Sequence, residues 1–151
     1  MKRQFAVVLL VVTGPVLMAA IGSSPVLRPP THGSGRSVWD SVYTLEQATR
    51  GETAYAKTCA RCHKASLAGA DESPPLAGGE FLGNWNGQSL GALHDRIRTS
   101  MPTDDPGTYG RQLITDVMAY VLKVNRFPAG TVELPTELDS LKEIRMEAAK
   151  P

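Results

Sequence analysis

The sequence predicts a small all-α domain, with three to four core helices and a short amphipathic helix near its C-terminus. Several segments place apolar side chains at helical spacing, and some of them follow a Thr or Ser that is a good N-cap. No segment has the alternating pattern and turn residues that indicate a β-hairpin. A chain of 151 residues is long enough for one modest domain, so a single core is expected.

Residues 1–22 are typical of a secretory signal peptide or, if uncleaved, of an N-terminal membrane anchor. Lys2 and Arg3 precede an uncharged apolar run over residues 5–21 that ends among small residues. Export predicts a periplasmic location, with membrane contact only if the signal is retained. Losing Lys2 and Arg3 changes the formal net charge from +1 to −1. Such a balance gives no electrostatic reason for binding nucleic acid or an anionic membrane surface.

The remaining chain divides into three predicted parts. Residues 23–37 are rich in Pro, Gly and Ser and predict a flexible tether. Residues 38–132 are expected to form the ordered domain, and residues 133–151 a C-terminal helical extension. In that extension the N-cap is expected at Thr136, and one side of the helix carries Leu138, Leu141 and Ile144.

The first core helix is expected to begin after Thr44, with Gln47 three residues later, and to end at Cys59. Gly51 in its middle costs up to ~1 kcal/mol relative to Ala, which indicates that another backbone passes close by. Residues 64–88 are turn-rich and predict irregular backbone that carries large apolar side chains.

Two further helices follow. One is expected to begin after Ser89 and to end before Pro102, which leaves Met101 in an extended loop. The other, over residues 109–125, has a single apolar stripe and is the expected partner of Gly51.

The stretch Cys59-x-x-Cys62-His63 contains both cysteines of the chain. This spacing is typical of covalent haem attachment, in which two sulfurs add to the haem vinyl groups and the histidine binds the iron. The alternatives are half of a zinc site, a disulfide, or chance. Zinc needs four protein ligands, and the sequence offers no second cysteine pair. A disulfide would close a very short loop, and no strand precedes Cys59 as in thioredoxin-like proteins.

The sixth ligand of a haem iron decides between electron transfer and ligand chemistry. Met101 is the candidate, because Met118 belongs to a helical stripe and Met146 to the C-terminal tail, whereas the other methionines lie in the signal. A thioether ligand raises the potential and closes the iron to small molecules. The alternatives are that Met101 fills a gap in the core, or that His94 is the ligand. Since His94 flanks an apolar stripe, we expect a surface or helix-face histidine.

Other side chains are candidates for the surroundings of the haem. A carbonyl of the turn Pro74-Pro75-Leu76 is a suitable acceptor for the second nitrogen of His63. Four apolar residues are candidates for lining the haem edge, or alternatively ordinary core: Leu76, Phe81, Leu82 and Trp85. The Trp85 indole and the amides of Asn84 and Asn86 are candidates for contacting a propionate.

From Leu45 to Asn125 the segments CARCH, PPL, SMP and DVMAYVL occur in the order in which the class I c-type cytochromes have them, and the chain resembles that family. Longer segments, among them PPLAGGEFLGNW, RIRTSMP and LPTELDSLK, are similar to exported bacterial monohaem cytochromes associated with dehydrogenases dependent on pyrroloquinoline quinone (PQQ). The resemblance implies thioether bonds from Cys59 and Cys62, axial ligands His63 and Met101, and a hydrogen bond between His63 and the Pro74 carbonyl. One departure is Lys64, which stands where a glycine often follows the haem histidine.

These features predict one covalently bound haem c and a non-enzymatic electron carrier. The resemblance implies a quinoprotein dehydrogenase as electron donor, for which the chain is expected to be a shuttle or the electron-accepting cytochrome subunit. A terminal oxidase or another cytochrome is the expected acceptor. Two alternatives remain: a haem enzyme or gas-binding protein with an open sixth site, and a zinc- or disulfide-stapled interaction module.

Overall fold

The computed structural model describes residues 35–151. The predicted signal peptide of residues 1–22 and most of the predicted tether of residues 23–37 lie outside these described residues. The helices are α1 (Leu45–Thr58), α2 (Ala60–His63), α3 (Gly79–Trp85), α4 (Leu90–Ser100), α5 (Arg111–Val124) and α6 (Leu138–Lys142). Two short strands, β1 (Arg36–Ser37) and β2 (Ile144–Arg145), pair in parallel. The all-α fold class predicted from the sequence is confirmed.

The α1–α5 contact is the centre of the fold, and Gly51 lies at its closest point. A Cβ atom on Gly51 would be 1.8 Å from the carbonyl oxygen of Asp116 and 3.1 Å from the Cβ of Tyr120. Only a residue without a side chain allows the two backbones to approach so closely. The predicted pairing of Gly51 with the helix of residues 109–125 is therefore confirmed, and it fixes the direction in which α1 delivers Cys59.

Two helix starts form as the sequence indicates. The Thr44 hydroxyl accepts a hydrogen bond from the backbone N–H of Gln47 at 3.1 Å, and the Ser89 hydroxyl accepts one from that of Ala92 at 3.1 Å. Each satisfies one of the donors that a helix leaves unpaired at its first turn.

The helix α3 corrects the prediction that residues 64–88 are irregular throughout. Its seven residues contain Gly79 and Gly83 and begin after Gly78, which has φ 85°. Glycine is a poor helix former, so the local sequence gave little sign of it. Tertiary packing supplies the missing stability, because Phe81 is buried and Trp85 is half-buried, with ring centroids 6.4 Å apart.

The helix of the C-terminal segment is shorter than predicted, and more of the segment is buried in the core. Thr136 does not cap α6; the N-cap is Glu137, and no side chain bonds the first turn. Ile144 belongs to β2 rather than to the helix, although it is buried as expected for an apolar position. Met146, predicted to lie in a tail, is 1% exposed and belongs to the core.

The N-terminal edge of the domain is tied to this segment. Arg36 donates from its backbone N–H to the carbonyl of Glu143 at 2.8 Å, and Val38 donates to that of Arg145 at 2.9 Å. Arg36 and Ser37, predicted as the end of the tether, are thus part of the ordered structure. None of the helices formed by residues 35–151 is long and apolar enough to cross a membrane.

Candidate functional site

The two cysteines and the histidine of the motif are displayed on one turn of backbone. Helix α1 ends at Thr58, and Cys59 connects it to α2. The backbone N–H groups of Cys62 and His63 both donate to the carbonyl of Cys59, at 3.2 and 3.0 Å. Cys59 is half-buried and Cys62 is exposed, so the pair extends from the interior to the surface.

The His63 side chain is 7% exposed, and its Nδ1 atom lies 2.8 Å from the carbonyl oxygen of Pro74. Proline has a backbone acceptor and no donor, so Nδ1 carries the proton in this contact. The contact fixes the ring orientation and leaves Nε2 as the nitrogen with a free lone pair. A metal ligand needs such a free lone pair.

The backbone after His63 turns sharply. Lys64 has φ 63° and ψ 155°, a region that non-glycine residues adopt at a cost of about 1–3 kcal/mol. The Tyr55 hydroxyl donates to the Lys64 carbonyl at 2.7 Å and helps to hold this conformation. A glycine would adopt the same angles without strain.

Met101 directly follows α4. It has extended backbone angles, φ −125° and ψ 144°, and its N–H donates to the carbonyl of Ile97 at 2.9 Å. Arg61 in α2 donates to both oxygens of Asp104, at 2.6 and 2.8 Å, and thereby joins the Met101 loop to the cysteine turn.

Two cavities lie between the cysteine turn and the Met101 loop. The first, called here the cysteine cavity, has a volume of about 90 Å³ and reaches Cys59, Cys62 and Tyr109. The second, the apolar cavity, has a volume of about 310 Å³, within the range typical of small-molecule sites. The residues that line both cavities are His63, Glu72, Pro74, Met101 and Thr103.

The apolar cavity brings together most of the residues expected around a haem. Leu76, Phe81 and Trp85 line it, as does Asn84. Leu82 lines neither cavity and packs against the core, which favours the alternative of an ordinary core position. Asn86 also lies outside both cavities, and its side-chain oxygen accepts a hydrogen bond from the N–H of Ala148 at 2.9 Å.

Met118 and His94 occupy different environments from Met101. Met118 lines the apolar cavity but not the cysteine cavity and is 1% exposed within α5. His94 was expected to be a surface or helix-face histidine; it lines neither cavity and is 1% exposed within α4, so the surface position is wrong. Neither of its ring nitrogens has a hydrogen-bond partner within residues 35–151. Burial, reinforced by the positive charges of Arg98 and Arg111, lowers its pKa.

Several lining residues were not singled out as site residues from the sequence. The cavity wall includes Leu93 and Ile97 from α4 and Val117 and Val121 from α5. All four belong to the apolar stripes seen in the sequence, but periodicity alone does not distinguish a cavity wall from a filled core. Tyr109 gave no such signal; its position beside Cys59 depends on the path of the loop after Met101.

The electrostatic setting of Cys59 is unfavourable for thiolate chemistry. Burial raises the pKa of its thiol, and this effect is opposed by the contact with the Thr58 hydroxyl at 3.2 Å. A protonated thiol is a poor nucleophile and a poor metal ligand. Among residues 35–151, no three or more His, Cys, Asp or Glu side chains are grouped so that they could hold a metal ion.

The arrangement fits a flat, mostly apolar group that binds through two sulfurs and two axial ligands. Its donors are a buried imidazole with a free nitrogen and a thioether, and both line the two cavities. Its walls are aliphatic and aromatic side chains from α3, α4 and α5. Iron porphyrin is held by ligands of these two kinds in c-type cytochromes.

One protein family has a sequence profile that matches this chain. The profile of cytochrome C oxidase, cbb3-type, subunit III, matches residues 46–121, half of the chain. No curated protein matches the sequence.

One solved structure that matches is the crystal structure of the sulfane dehydrogenase SoxCD from Paracoccus pantotrophus, with 18% sequence identity and a TM-score of 0.47. The aligned part covers 72% of this chain and 61% of that chain. This chain therefore spans less than two thirds of the length of the solved chain.

Proposed function

The chain belongs to the cytochrome c family that includes cytochrome c oxidase, cbb3-type, subunit III, and on that premise we propose that it is a monohaem electron carrier with His63 and Met101 as the axial ligands. The family carries covalently bound haem c and transfers electrons. The observation that supports this ligand pair is that His63 and Met101 line both cavities.

Each proposed residue has a distinct task. Cys59 and Cys62 would hold the haem through thioether bonds, and Nε2 of His63 would bind the iron, while Pro74 holds the ring through Nδ1. Met101 would supply its thioether sulfur as the second protein ligand of the iron, which would exclude small ligands and favour the reduced state. Leu76, Phe81 and Trp85 keep water from the porphyrin face, which also tunes the potential. When bound, haem c supplies a one-electron couple between ferric and ferrous iron.

Optical spectroscopy and mass spectrometry test this proposal together. The mature protein should have the mass of one covalent haem adduct, and its oxidised form should show the weak far-red band of methionine-ligated iron. Reduced protein should bind carbon monoxide poorly. Ready binding of carbon monoxide, with the far-red band missing, would favour the open-site alternative. Absence of the adduct would exclude both haem functions.

A pair of methionine variants identifies the axial ligand. Met101→Ala should remove the far-red band, permit exogenous ligands to bind, and lower the potential by on the order of 0.1 V, within the ~0.8 V that axial ligands span. Met118→Leu is the matched control, because Met118 also lines the apolar cavity. It should keep the band. Loss of the band in Met118→Leu alone would show that the sulfur comes from α5.

We also propose a periplasmic shuttle between a quinoprotein dehydrogenase and a terminal oxidase or other cytochrome. The donor is inferred from the sequence resemblance, and the oxidase side agrees with the family description. The exposed Cys62 lies at the surface through which electrons would enter. Charges of both signs lie there, because Arg61 and Glu72 line the cysteine cavity and Asp104 pairs with Arg61. Reduction by a purified PQQ-dependent dehydrogenase should therefore be fast and only weakly dependent on salt. Failure of such dehydrogenases to reduce the protein would exclude this donor.

A further inference from the structure

Among residues 35–151, Arg96 is the only arginine or lysine that lines the apolar cavity. It is exposed on α4, and no carboxylate of residues 35–151 forms an ion pair with it. Arg98, two residues later on the same helix, differs in both respects. It lines neither cavity, and its guanidinium lies 3.5 Å from the Asp95 carboxylate. The two arginines therefore carry the same charge on one helix, but only Arg96 borders the cavity.

The positions of the cysteines determine which edge of the porphyrin would lie near Arg96. Haem has its two vinyl groups on one edge and its two propionates on the opposite edge. Cys59 and Cys62 line only the cysteine cavity, whereas Arg96 lines only the apolar cavity. A porphyrin fixed through its vinyl carbons to the two sulfurs thus directs its propionates away from the cysteines, toward the part of the site that contains Arg96.

Charge and hydrogen-bonding capacity favour Arg96 as the propionate partner. Asn84 and the Trp85 indole can donate hydrogen bonds there but carry no charge, and Glu72 would repel a carboxylate. Aliphatic and aromatic walls cannot replace the hydration of an anion. The guanidinium offers a planar fork of donors that matches a carboxylate, and it retains its charge at any working pH.

We propose that Arg96 binds a haem propionate and, by compensating its charge, stabilises the ferrous state; this inference rests on the proposed haem function. An uncompensated carboxylate adds negative charge beside the iron and favours the ferric form. Arg96 is in this sense a positioning and tuning residue for the cofactor. It acts through the propionate and does not contact the iron.

The test compares the midpoint potentials of the holoproteins Arg96→Gln and Arg98→Gln. Arg96→Gln should shift the ratio of oxidised to reduced protein toward oxidised by up to roughly tenfold at a fixed potential, a fall of up to about 59 mV for a one-electron couple. Arg96→Lys should restore most of the potential, because it retains the charge. Arg98→Gln should match the wild type. Equal potentials for the two glutamine variants would refute the inference.

A second measurement covers the case in which Arg96→Gln yields no holoprotein. The propionate bending mode in the resonance Raman spectrum responds to hydrogen bonding of the carboxylate. It should differ between wild type and Arg96→Lys, since the two-pronged contact is lost, and remain unchanged in Arg98→Lys. An unchanged mode in both lysine variants would refute the inference. A different result, a wild-type protein without a covalent haem adduct, would refute the proposed haem function itself.

Discussion

Replacing Gly51 with Ala should destabilise the protein, although Ala is the better helix former. The new Cβ would lie 1.8 Å from the Asp116 carbonyl oxygen, well below the 3.0 Å that real Cβ contacts respect. The backbones of α1 and α5 must therefore separate by roughly 1.2 Å, which loosens contacts along a close-packed interface. Overpacking of this kind costs about 1–3 kcal/mol, whereas the gain in helix propensity is only about 0.5–1 kcal/mol. The net expectation is a loss of up to about 2.5 kcal/mol, with a central value of about 1 kcal/mol.

Gly83→Ala provides the matched control for this prediction. Gly83 lies in α3, is exposed, and has nothing within 4 Å of the position of an added Cβ. That substitution should leave stability unchanged or raise it by up to about 1 kcal/mol. Thermal unfolding of both holoproteins, followed by far-UV circular dichroism, measures the difference at about 4–8 °C per kcal/mol for a domain near 100 residues. A Gly51→Ala protein at least as stable as the wild type would refute the close-contact argument.

Three further predictions concern the site and its surroundings. Cys62→Ala should impair haem attachment and leave a poorly folded chain, measured by covalent haem yield and circular dichroism, because a small core gains much of its stability from a bound cofactor. Asp104→Asn removes the partner of Arg61, which joins the Met101 loop to the cysteine turn, and should increase the rate of imidazole binding to the ferric protein. The melting temperature should change little, because the pair is exposed. The control Asp139→Asn breaks an exposed pair in α6 and should leave that rate unchanged. Burial lowers the pKa of His94 below the ordinary 6.5, so the unfolded chain takes up the proton at a higher pH than the folded chain. The free energy of unfolding should therefore fall as the pH drops below about 6.5. Urea titrations at several pH values should show a smaller fall for His94→Leu than for the wild type.

The parts of the fold predicted most accurately are those with strong local signals. Thr44 and Ser89 identified two helix starts to the residue, because a capping side chain acts on the backbone three residues away. The helix expected over residues 109–125 was found at Arg111–Val124, because its apolar stripe is continuous. Gly51 even indicated which helices pack together, since a mid-helix glycine is unfavourable without a close neighbour.

The errors arise where distant contacts decide the structure. Helix α3 forms around glycines because Phe81 is buried, and no local pattern reveals that burial. His94 looks polar in the sequence, yet it is buried without a hydrogen-bond partner in the described residues. Arg96 and Arg98 are indistinguishable by type and spacing. The position of the cavity and the ion pair between Arg98 and Asp95 separate them.

The pairing of β1 with β2 also determines how the domain responds to force. Backbone hydrogen bonds join Arg36 to Glu143 and Val38 to Arg145, and Trp39 adds a bond from its indole N–H to the Glu147 carbonyl at 3.0 Å. A pull applied ahead of Gly35 meets these bonds before it reaches α1 and the cysteine turn. These bonds would therefore have to break before the force reached α1. A chain truncated after Lys142 lacks them, and the same pull would act directly on α1, which leads to Cys59.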